Sequence, residues 1–410
     1  MRIAYVSADR GISPTGGNGA ATHLREFANA MVARGAEVKI LTPLPSGGRE
    51  VHCELIDIDT DEFLPVLRRM TAKLARASDT TSAQASEIHG LLLNQSTIEH
   101  LDRLHARWPI DLVYERYSLW SYAGLEFAGR RQIPFFLEVN APLAAQQEEY
   151  RRLYNAATAR ALESVLLGRA DRVIVPSKVL VEYVVEQGAR AGRVRIIPCG
   201  VAREFFTSGA SAKKAPGAGE FVVGFLGSLK PWHGLDVLLE AFKRLLSRTA
   251  GYRLLVVGDG PLRTVIEDFR QACPRPDCVT ITGEVAHRDV PRYLAQMDVG
   301  VASYPPLPTF YFSPLKIFEY AAAGVPIVAS ASGQIGELLV HRSSALLHPP
   351  GSVTKIAKHI EQLRANPELA ARLARRARSL TKAYTWDRLA ARLLAIAETA
   401  RRRYTDAAQE

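Results

Sequence analysis

Residues 1–42, MRIAYVSADRGISPTGGNGAATHLREFANAMVARGAEVKILT, contain one complete β-α-β pattern. The apolar run RIAYVSA predicts a strand, the glycine-rich segment after it predicts a turn, and THLREFANAMVARG has the apolar spacing of a helix. EVKILTP predicts a second strand. Because two strands joined through a helix pair in parallel, this stretch predicts an α/β fold built on a parallel sheet.

The same alternation continues along the chain. Further predicted strands are DLVYER, PFFLEV, RVIVPS and VRIIPCG, then FVVGFLGS, RLLVVGDG, VTITGEV, VGVASYPP, PIVAS and ALLHP. The 410 residues exceed what one core of ordinary size accommodates. We therefore predict two Rossmann-like, doubly wound parallel-sheet domains.

A change in composition marks the boundary between these domains. The segment TSGASAKKAPGAGE, residues 207–220, is rich in small residues and is typical of an exposed linker. We place the first domain at residues 1–203, the linker at 204–220 and the second domain at 221–384. Two Ala/Arg/Leu-rich segments then predict helices, and we expect the last, at about residues 385–410, to cross back to the first domain.

The amino-acid composition limits the kinds of binding partner and the cellular compartment that we expect for this protein. The net charge of +10 favours anionic partners such as nucleotide diphosphates or anionic lipids. The paired arginines lack the interleaved aromatics of a nucleic-acid platform, so we expect no nucleic acid; solvated helix faces explain them most simply, with a lipid-facing patch as the alternative. The sequence has neither a signal-peptide pattern nor a spanning apolar run, which predicts a cytoplasmic protein, with peripheral contact at the inner membrane face left open.

The four cysteines predict no metal site. Only Cys273 and Cys278 lie close together, whereas a zinc knuckle needs a second close pair. We interpret all four as reduced thiols.

The segment SPLKIFEYAAAG, residues 313–324, carries the signals of a short helix. Ser313 suits the N-cap, Pro314 suits the first helical position, and Gly324 suits the end. The unpaired N–H groups and the dipole at a helix N-terminus form an anion site. A diphosphate is therefore a suitable ligand for this helix.

Three side chains of this helix are candidate groups for binding a nucleotide diphosphate. Leu315 and Lys316 lie in the first turn, where the anion site is expected. Glu319 follows Pro314 by five residues, roughly 7.5 Å along the helix axis, which is comparable with the separation of a diphosphate from its ribose. A carboxylate there accepts hydrogen bonds from ribose hydroxyls. The alternative is an ordinary surface pair of Lys316 and Glu319.

The extended segment FSPLKIFEYAAAGVPIVAS resembles the signature of glycosyltransferase family 4, whose members have the GT-B fold of two facing Rossmann-like lobes. The resemblance spans nearly the whole chain and includes PTGGNGAATHLREFANAMVARG, VIVPSKVLVEYV, IIPCGV, VGFLGSLKPWHGLDVLLEAF, LLVVGDGPL and VTITGEV. It implies a retaining glycosyltransferase that moves a sugar from a nucleotide diphosphate-sugar, with a UDP-sugar first and GDP-mannose next. The implied acceptor is a saccharide, a lipid-linked intermediate or a small molecule, and no metal or other cofactor is expected.

The resemblance also assigns roles to residues. Glu319 matches the second glutamate of the family's Glu, seven residues, Glu motif, which holds the donor ribose. The first glutamate, which contacts the transferred sugar, is replaced by Tyr311. An Arg and a Lys of the family's first loop in the second lobe are replaced by Ser228 and His233.

This first loop, which begins at Gly227, therefore lacks the family's usual charge for a departing diphosphate. We predict that Lys230, together with His233, supplies part of it. The alternatives are a solvated turn lysine and a histidine hydrogen bond within the turn.

In the first lobe, the candidate residues follow predicted strands. Gly16 and Gly17 allow the backbone to approach phosphate or acceptor closely, although they do not form the GxGxxG pattern of dinucleotide sites. Glu138 and Asn140 end a strand at the carboxyl edge, where doubly wound sheets bind ligands. We expect Glu138 to orient the acceptor, with a structural carboxylate as the alternative, and Asn140 to hydrogen-bond a hydroxyl without acting as a base.

Two other functions are compatible with this fold. A non-hydrolysing sugar-nucleotide epimerase would carry more acidic and histidine residues near the sugar. A non-catalytic GT-B binding protein is favoured by the replacements at Ser228, His233 and Tyr311, and disfavoured by the intact Glu319 and its helix. We name no covalent catalyst, because in retaining enzymes of this kind the leaving phosphate can take the acceptor's proton.

Overall fold

The computed structural model describes residues 1–46, 48, 50–58, 69, 79–150, 152–208, 220–249 and 251–407. The chain forms two compact units. The first comprises Met1–Gly16, His23–Pro198 and Asp387–Glu410, and the second comprises Gly17–Thr22 and Cys199–Trp386. Residues 209–219 of the predicted linker lie outside the described residues.

The described part of the first unit contains a seven-stranded sheet in which every pairing is parallel. Its strands are β1 (Arg2–Val6), β2 (Glu37–Thr42), β3 (Glu54–Asp57), β4 (Leu112–Arg116), β5 (Phe135–Glu138), β6 (Arg172–Val175) and β7 (Val194–Ile196). The order β3-β2-β1-β4-β5-β6-β7 reverses direction between β1 and β4. The loops after these two strands diverge there, which opens a crevice at the carboxyl edge of the sheet.

Helices connect these strands. They are α1 (Gly19–Ala33), α2 (Asp79–Arg107), α3 (Ala123–Arg131), α4 (Leu143–Tyr150), α5 (Ala156–Arg169) and α6 (Lys178–Glu186). The strands are mostly apolar at buried positions, because helices cover a parallel sheet on both faces. No described helix has the length and apolar character needed to cross a membrane.

The described part of the second unit repeats this architecture with six parallel strands. They are β8 (Phe221–Leu226), β9 (Tyr252–Val257), β10 (Val279–Ile281), β11 (Val299–Ala302), β12 (Ile327–Ser330) and β13 (Leu346–His348). The order β10-β9-β8-β11-β12-β13 reverses direction between β8 and β11. The predicted fold class of two doubly wound parallel sheets is thus confirmed.

The helices of the second unit pack around one apolar core that includes Phe225, Leu238, Phe242 and Ile266. These helices are α7 (Glu204–Ser208), α8 (Leu235–Leu246), α9 (Arg263–Ala272), α10 (Val290–Leu294), α11 (Leu315–Ala323), α12 (Gly333–Leu338), α13 (Val353–Ala365) and α14 (Pro367–Thr381). The first five residues of the predicted linker, 204–208, are not a linker. Residues 204–208 form α7, because Phe205 is apolar and buries its ring, leaving 2% exposed.

Helix α15 (Trp386–Ala407) belongs almost entirely to the first unit. It buries an apolar face that includes Leu389, Leu393 and Ala397. The Tyr404 hydroxyl donates to Asp171 Oδ2 over 2.9 Å. The same carboxylate oxygen accepts from the Phe135 amide at the start of β5, so the helix is connected to the sheet by polar as well as apolar contacts.

Candidate active site

Helix α11 begins one residue later than the sequence predicts. Pro314 is the N-cap, with φ −73° and ψ 113°, and Leu315 is the first helical residue. Ser313 does not cap the helix; its hydroxyl accepts from the Cys199 amide at 3.0 Å, so the N-cap prediction for Ser313 is wrong. Gly324 ends the helix in the left-handed conformation, φ 73°, as predicted.

Lys316 in the first turn of α11 is a buried cation. Its side chain leaves the residue only 6% exposed, and Nζ has no hydrogen-bond partner among the described residues. The ammonium lies 3.9 Å from the ring centroid of Phe225 and 5.6 Å from that of Tyr304. Two aromatic faces therefore partly replace its hydration shell, but they leave its three N–H donors unused.

Burial lowers the pKa of Lys316 to about 7, although the nearby Glu319 carboxylate opposes the change. An unpartnered ammonium in an apolar surrounding favours the neutral form. An anionic ligand beside Nζ would favour the charged form again. Lys316 is therefore arranged to bind an anion, because none of the described protein groups hydrogen-bonds its ammonium.

The loop after β8 runs close to this ammonium. Gly227 has φ 125°, and a Cβ atom placed on it would lie 3.3 Å from Lys316 Nζ. A side chain at this position would therefore be strained in the backbone and would press on the lysine. Glycine leaves room for a ligand atom between the loop and the ammonium.

His233 does not supply the positive charge that the sequence assigns to it. Its Nδ1 donates to the Ser228 carbonyl over 2.5 Å. Burial and the neighbouring Lys316 lower the pKa of His233 to about 3, so the ring is neutral at pH 7. The prediction of a cationic His233 is therefore wrong, and the turn hydrogen bond describes it. Lys230 is half-buried with Nζ 5.8 Å from the Trp232 ring centroid, which leaves it able to reach a ligand.

Glu319 lies one turn after Lys316 and is also buried, with 5% of the residue exposed. The burial of both residues excludes the alternative of an ordinary surface pair. Glu319 Oε1 accepts a hydrogen bond from His287 Nε2 over 2.7 Å. His287 lies in the 3-10 turn His287–Asp289, which follows β10.

Tyr311, at the position of the family's first glutamate, is buried in an aromatic cluster with 7% of the residue exposed. Its ring centroid is 4.4 Å from that of Phe312, and Phe310 and Tyr304 complete the cluster. These rings also contact the lysine, because Tyr304 is one of the two aromatic faces beside Nζ. The loop before α11 therefore places an aromatic cluster where the family has a carboxylate.

In the first unit, Glu138 forms the centre of a buried polar network at the carboxyl edge of the sheet. The Tyr5 hydroxyl donates to Oε2 over 2.9 Å, and Arg116 Nη1 lies 3.5 Å from the same oxygen. His23 Nε2 lies 3.4 Å from Oε1, and Arg116 Nη1 also lies 3.3 Å from His23 Nδ1. Both carboxylate oxygens are thus occupied by protein groups.

The charges of this network compensate one another. Burial alone raises the pKa of Glu138, but His23, Arg116 and the hydrogen bond from Tyr5 outweigh it, so the pKa lies below its ordinary value. Burial lowers the pKa of His23 to about 4. At neutral pH the network therefore consists of an anionic Glu138, a cationic Arg116 and a neutral His23, which supports the structural interpretation of Glu138.

The two glycines of the β1–α1 loop have different surroundings. The Gly16 carbonyl accepts from Arg25 Nη1 over 3.3 Å in the first unit. Gly17 belongs to the second unit, where a Cβ atom on it would come within 1.9 Å of Glu284 Oε1. Neither glycine has a positive φ, so a side chain at position 17 would have to displace the Glu284 carboxylate but would not strain the backbone.

Sequence reasoning missed four residues of these sites, Tyr5, His23, Arg116 and His287. The rule that selected Glu138, polar residues where a parallel strand ends, also selects Arg116 at the end of β4. His287 carried no comparable signal, because its partner lies 32 residues later on another element.

Two protein-family models match this chain. A family model described as "Glycosyl transferase 4-like domain" matches residues 18–200, and one described as "Glycosyl transferases group 1" matches residues 220–366. Together they cover most of both units.

Two individual relatives and one solved structure are also similar to this chain. A GDP-mannose-dependent alpha-(1-6)-phosphatidylinositol monomannoside mannosyltransferase of Mycobacterium tuberculosis is 30% identical over 175 residues, 41% of this chain and 45% of the relative, so the chain matches less than half of that protein's length. A glycogen synthase of the same organism is 23% identical over 95% of this chain and 92% of its own. The sucrose-phosphate synthase of Thermosynechococcus elongatus shares the fold, with a TM-score of 0.74 and 21% identity over 97% of this chain and 98% of its own. With both units matched by glycosyltransferase models, this chain belongs to glycosyltransferase family 4 and is a glycosyltransferase of the GT-B fold.

Proposed function

We propose that this chain transfers a sugar from a nucleotide diphosphate-sugar, a UDP-sugar in the first place, to an acceptor hydroxyl with retention of the anomeric configuration. The acceptor is a saccharide, a lipid-linked intermediate or a small molecule. One relative is named for GDP-mannose and for a phosphatidylinositol monomannoside, which supports GDP-mannose as the second donor and peripheral contact with a membrane.

The observation that carries the proposal is the unpartnered ammonium of Lys316. A buried cation without a partner is costly, and it lies in the first turn of a helix whose free N–H groups favour an anion. A diphosphate would supply the missing negative charge. Glu319 lies about 4.5 Å further along the same helix, at 1.5 Å per residue, on the side where the ribose of the same donor would follow.

In this scheme the chemical step needs no nucleophile from the protein. The bond between the anomeric carbon and the phosphate oxygen breaks, the acceptor oxygen bonds to the same face of that carbon, and the acceptor proton passes to the leaving phosphate. Lys316, with Lys230 from the loop after β8, stabilises the charge that develops on the leaving diphosphate. Glu138 has both oxygens engaged and is therefore not assigned the role of nucleophile.

We assign the acceptor to the first unit, at the carboxyl edge of its sheet. Asn140 follows β5 there and can hydrogen-bond a hydroxyl, although it cannot act as a base. Arg116 and His23 hold the Glu138 carboxylate beside it. The network thereby gives the edge of the sheet a fixed geometry.

A thermal-shift screen of the full chain with UDP, GDP, ADP and dTDP tests the donor proposal. A nucleotide at a hundredfold its dissociation constant stabilises the protein by about 2.7 kcal/mol, which raises the melting temperature visibly. We expect UDP to give this shift, Lys316→Met to abolish it, and the exposed-lysine variant Lys355→Met to retain it. No shift with any of the four nucleotides, or a full shift in Lys316→Met, would contradict the proposed site.

A further inference from the structure

We infer that His287 is a positioning residue that orients the Glu319 carboxylate toward the donor ribose, so that the two residues together select nucleotides with intact ribose hydroxyls. This inference rests on the proposed function and deepens it. It assigns a role to a side chain from outside helix α11.

The contact between the two side chains is short and sheltered from water. His287 Nε2 and Glu319 Oε1 are 2.7 Å apart, and the side chains are 16% and 7% exposed. Because the acceptor is a carboxylate, Nε2 must carry the proton and donate. A hydrogen bond to a charged group in such surroundings is stronger than one exposed to solvent.

The imidazole itself is held in place. Its ring packs on the ring of Phe205, with the centroids 5.2 Å apart and the planes inclined by 39°. Phe205 is 2% exposed and belongs to α7 in the same unit. A ring packed on an aromatic surface and hydrogen-bonded at Nε2 has few other rotamers, so the position of His287 determines the orientation of the carboxylate.

The hydrogen bond leaves the other half of Glu319 for a ligand. Oε2 has no hydrogen-bond partner among the described residues, although the residue is 5% exposed. The donor from His287 stops the carboxylate from rotating about its terminal torsion, so that the lone pairs of Oε2 keep one direction. A vicinal diol can donate to them without the entropic cost of first ordering the acceptor.

A purely structural role for His287 would give a different result. If the imidazole only satisfied a buried carboxylate, its removal would disturb α11 as a whole. The diphosphate end of the site, which depends on Lys316 and the helix N-terminus, would then weaken along with the ribose end. The two roles are separated by ligands that lack the ribose hydroxyls.

We would measure dissociation constants of the full chain by titration calorimetry for UDP, 2′,3′-dideoxy-UDP and inorganic pyrophosphate. For His287→Ala we expect UDP to bind about 10- to 150-fold more weakly, the effect of losing one charged hydrogen bond. Binding of dideoxy-UDP and of pyrophosphate should stay within a factor of about two, the margin of an ordinary surface substitution. His287→Gln, which retains an N–H donor, should recover part of the UDP affinity, and exposed His52→Ala should have no effect.

A double-mutant cycle completes the test. In a Glu319→Ala background, His287→Ala should change UDP affinity no further, because its partner is gone. Equal weakening of all three ligands by His287→Ala, or no weakening of UDP, would overturn the inference while leaving nucleotide binding intact. Failure of the unsubstituted protein to bind UDP or GDP would instead refute the proposed function on which the inference depends.

Discussion

The two units bury charge in opposite ways. In the first, Glu138 is surrounded by Tyr5, His23 and Arg116, and both of its oxygens face donors. In the second, Lys316 is similarly buried beside the rings of Phe225 and Tyr304, and its Nζ has no hydrogen-bond partner among the described residues. A compensated buried charge stabilises the scaffold, whereas an uncompensated one costs stability and indicates a ligand site. The predictions below test this contrast.

The largest difference is expected in stability. Glu138→Ala leaves Arg116 buried without its carboxylate and should cost about 3–5 kcal/mol in free energy of unfolding. Lys316→Met replaces a buried charge with an apolar side chain of similar length and should leave stability unchanged or raise it by about 1 kcal/mol. Urea denaturation followed by two probes measures both, with exposed Glu182→Ala as the control for the first. Equal losses of unfolding free energy in Glu138→Ala and Lys316→Met would contradict the proposed difference between the two buried charges.

A pH effect of intermediate size should come from Lys316 alone. Its folded pKa of about 7 lies below the ordinary 10.5, so between these values the unfolded chain binds a proton that the folded protein lacks. This position therefore makes the free energy of unfolding rise with pH across that window. Glu319 and the neutral His233 are the titratable groups coupled to it.

Nucleotide binding should change with pH in the opposite direction. Above pH 7 the ammonium must regain a proton before it pairs with a diphosphate, so the dissociation constant of UDP should rise, by up to about tenfold per pH unit. Calorimetric titrations at several pH values from 6.5 to 9 check this prediction, with Lys316→Met expected to bind weakly and with little pH dependence. A flat profile in the unsubstituted protein would show that Lys316 stays charged without ligand.

The smallest effect is expected from Lys230. It is half-buried beside Trp232, so solvent screens its charge more than that of Lys316. Lys230→Ala should lower kcat by about 3- to 10-fold and leave donor affinity within a factor of about two, if the ammonium acts on charge that develops in the transition state. Steady-state kinetics separates the two constants. A loss in affinity at unchanged kcat would make Lys230 a binding residue only.

Most of the fold could be predicted from the alternation of apolar strands and amphipathic helices. Each of the twelve quoted strand segments overlaps a strand of the described chain. The missed strand, β3, has four residues, none of them fully buried, and lies at the edge of its sheet. An edge strand with partly exposed side chains lacks the continuous apolar run that identifies the others.

From the sequence, only those site residues that lie together on one helix could be predicted. Lys316 and Glu319 are three residues apart on α11, and helical geometry alone brings them to one end of a donor. The aromatic rings beside Nζ and the imidazole beside Glu319 come from other elements, and local spacing carries no information about them. The prediction for His233 was wrong because burial, which decides its charge, depends on tertiary packing.

Helix α15 has a consequence for how the chain folds during synthesis. The last described strand of the first unit ends at Ile196, but the helix that covers part of that unit, from Asp387 onward, is translated only after Cys199–Trp386 of the second unit. The apolar surface beneath Leu389 and Leu393 therefore remains uncovered while the ribosome adds about 190 further residues, at roughly 5–20 residues per second. The second unit, although later in the sequence, is the one that can finish folding first on the ribosome.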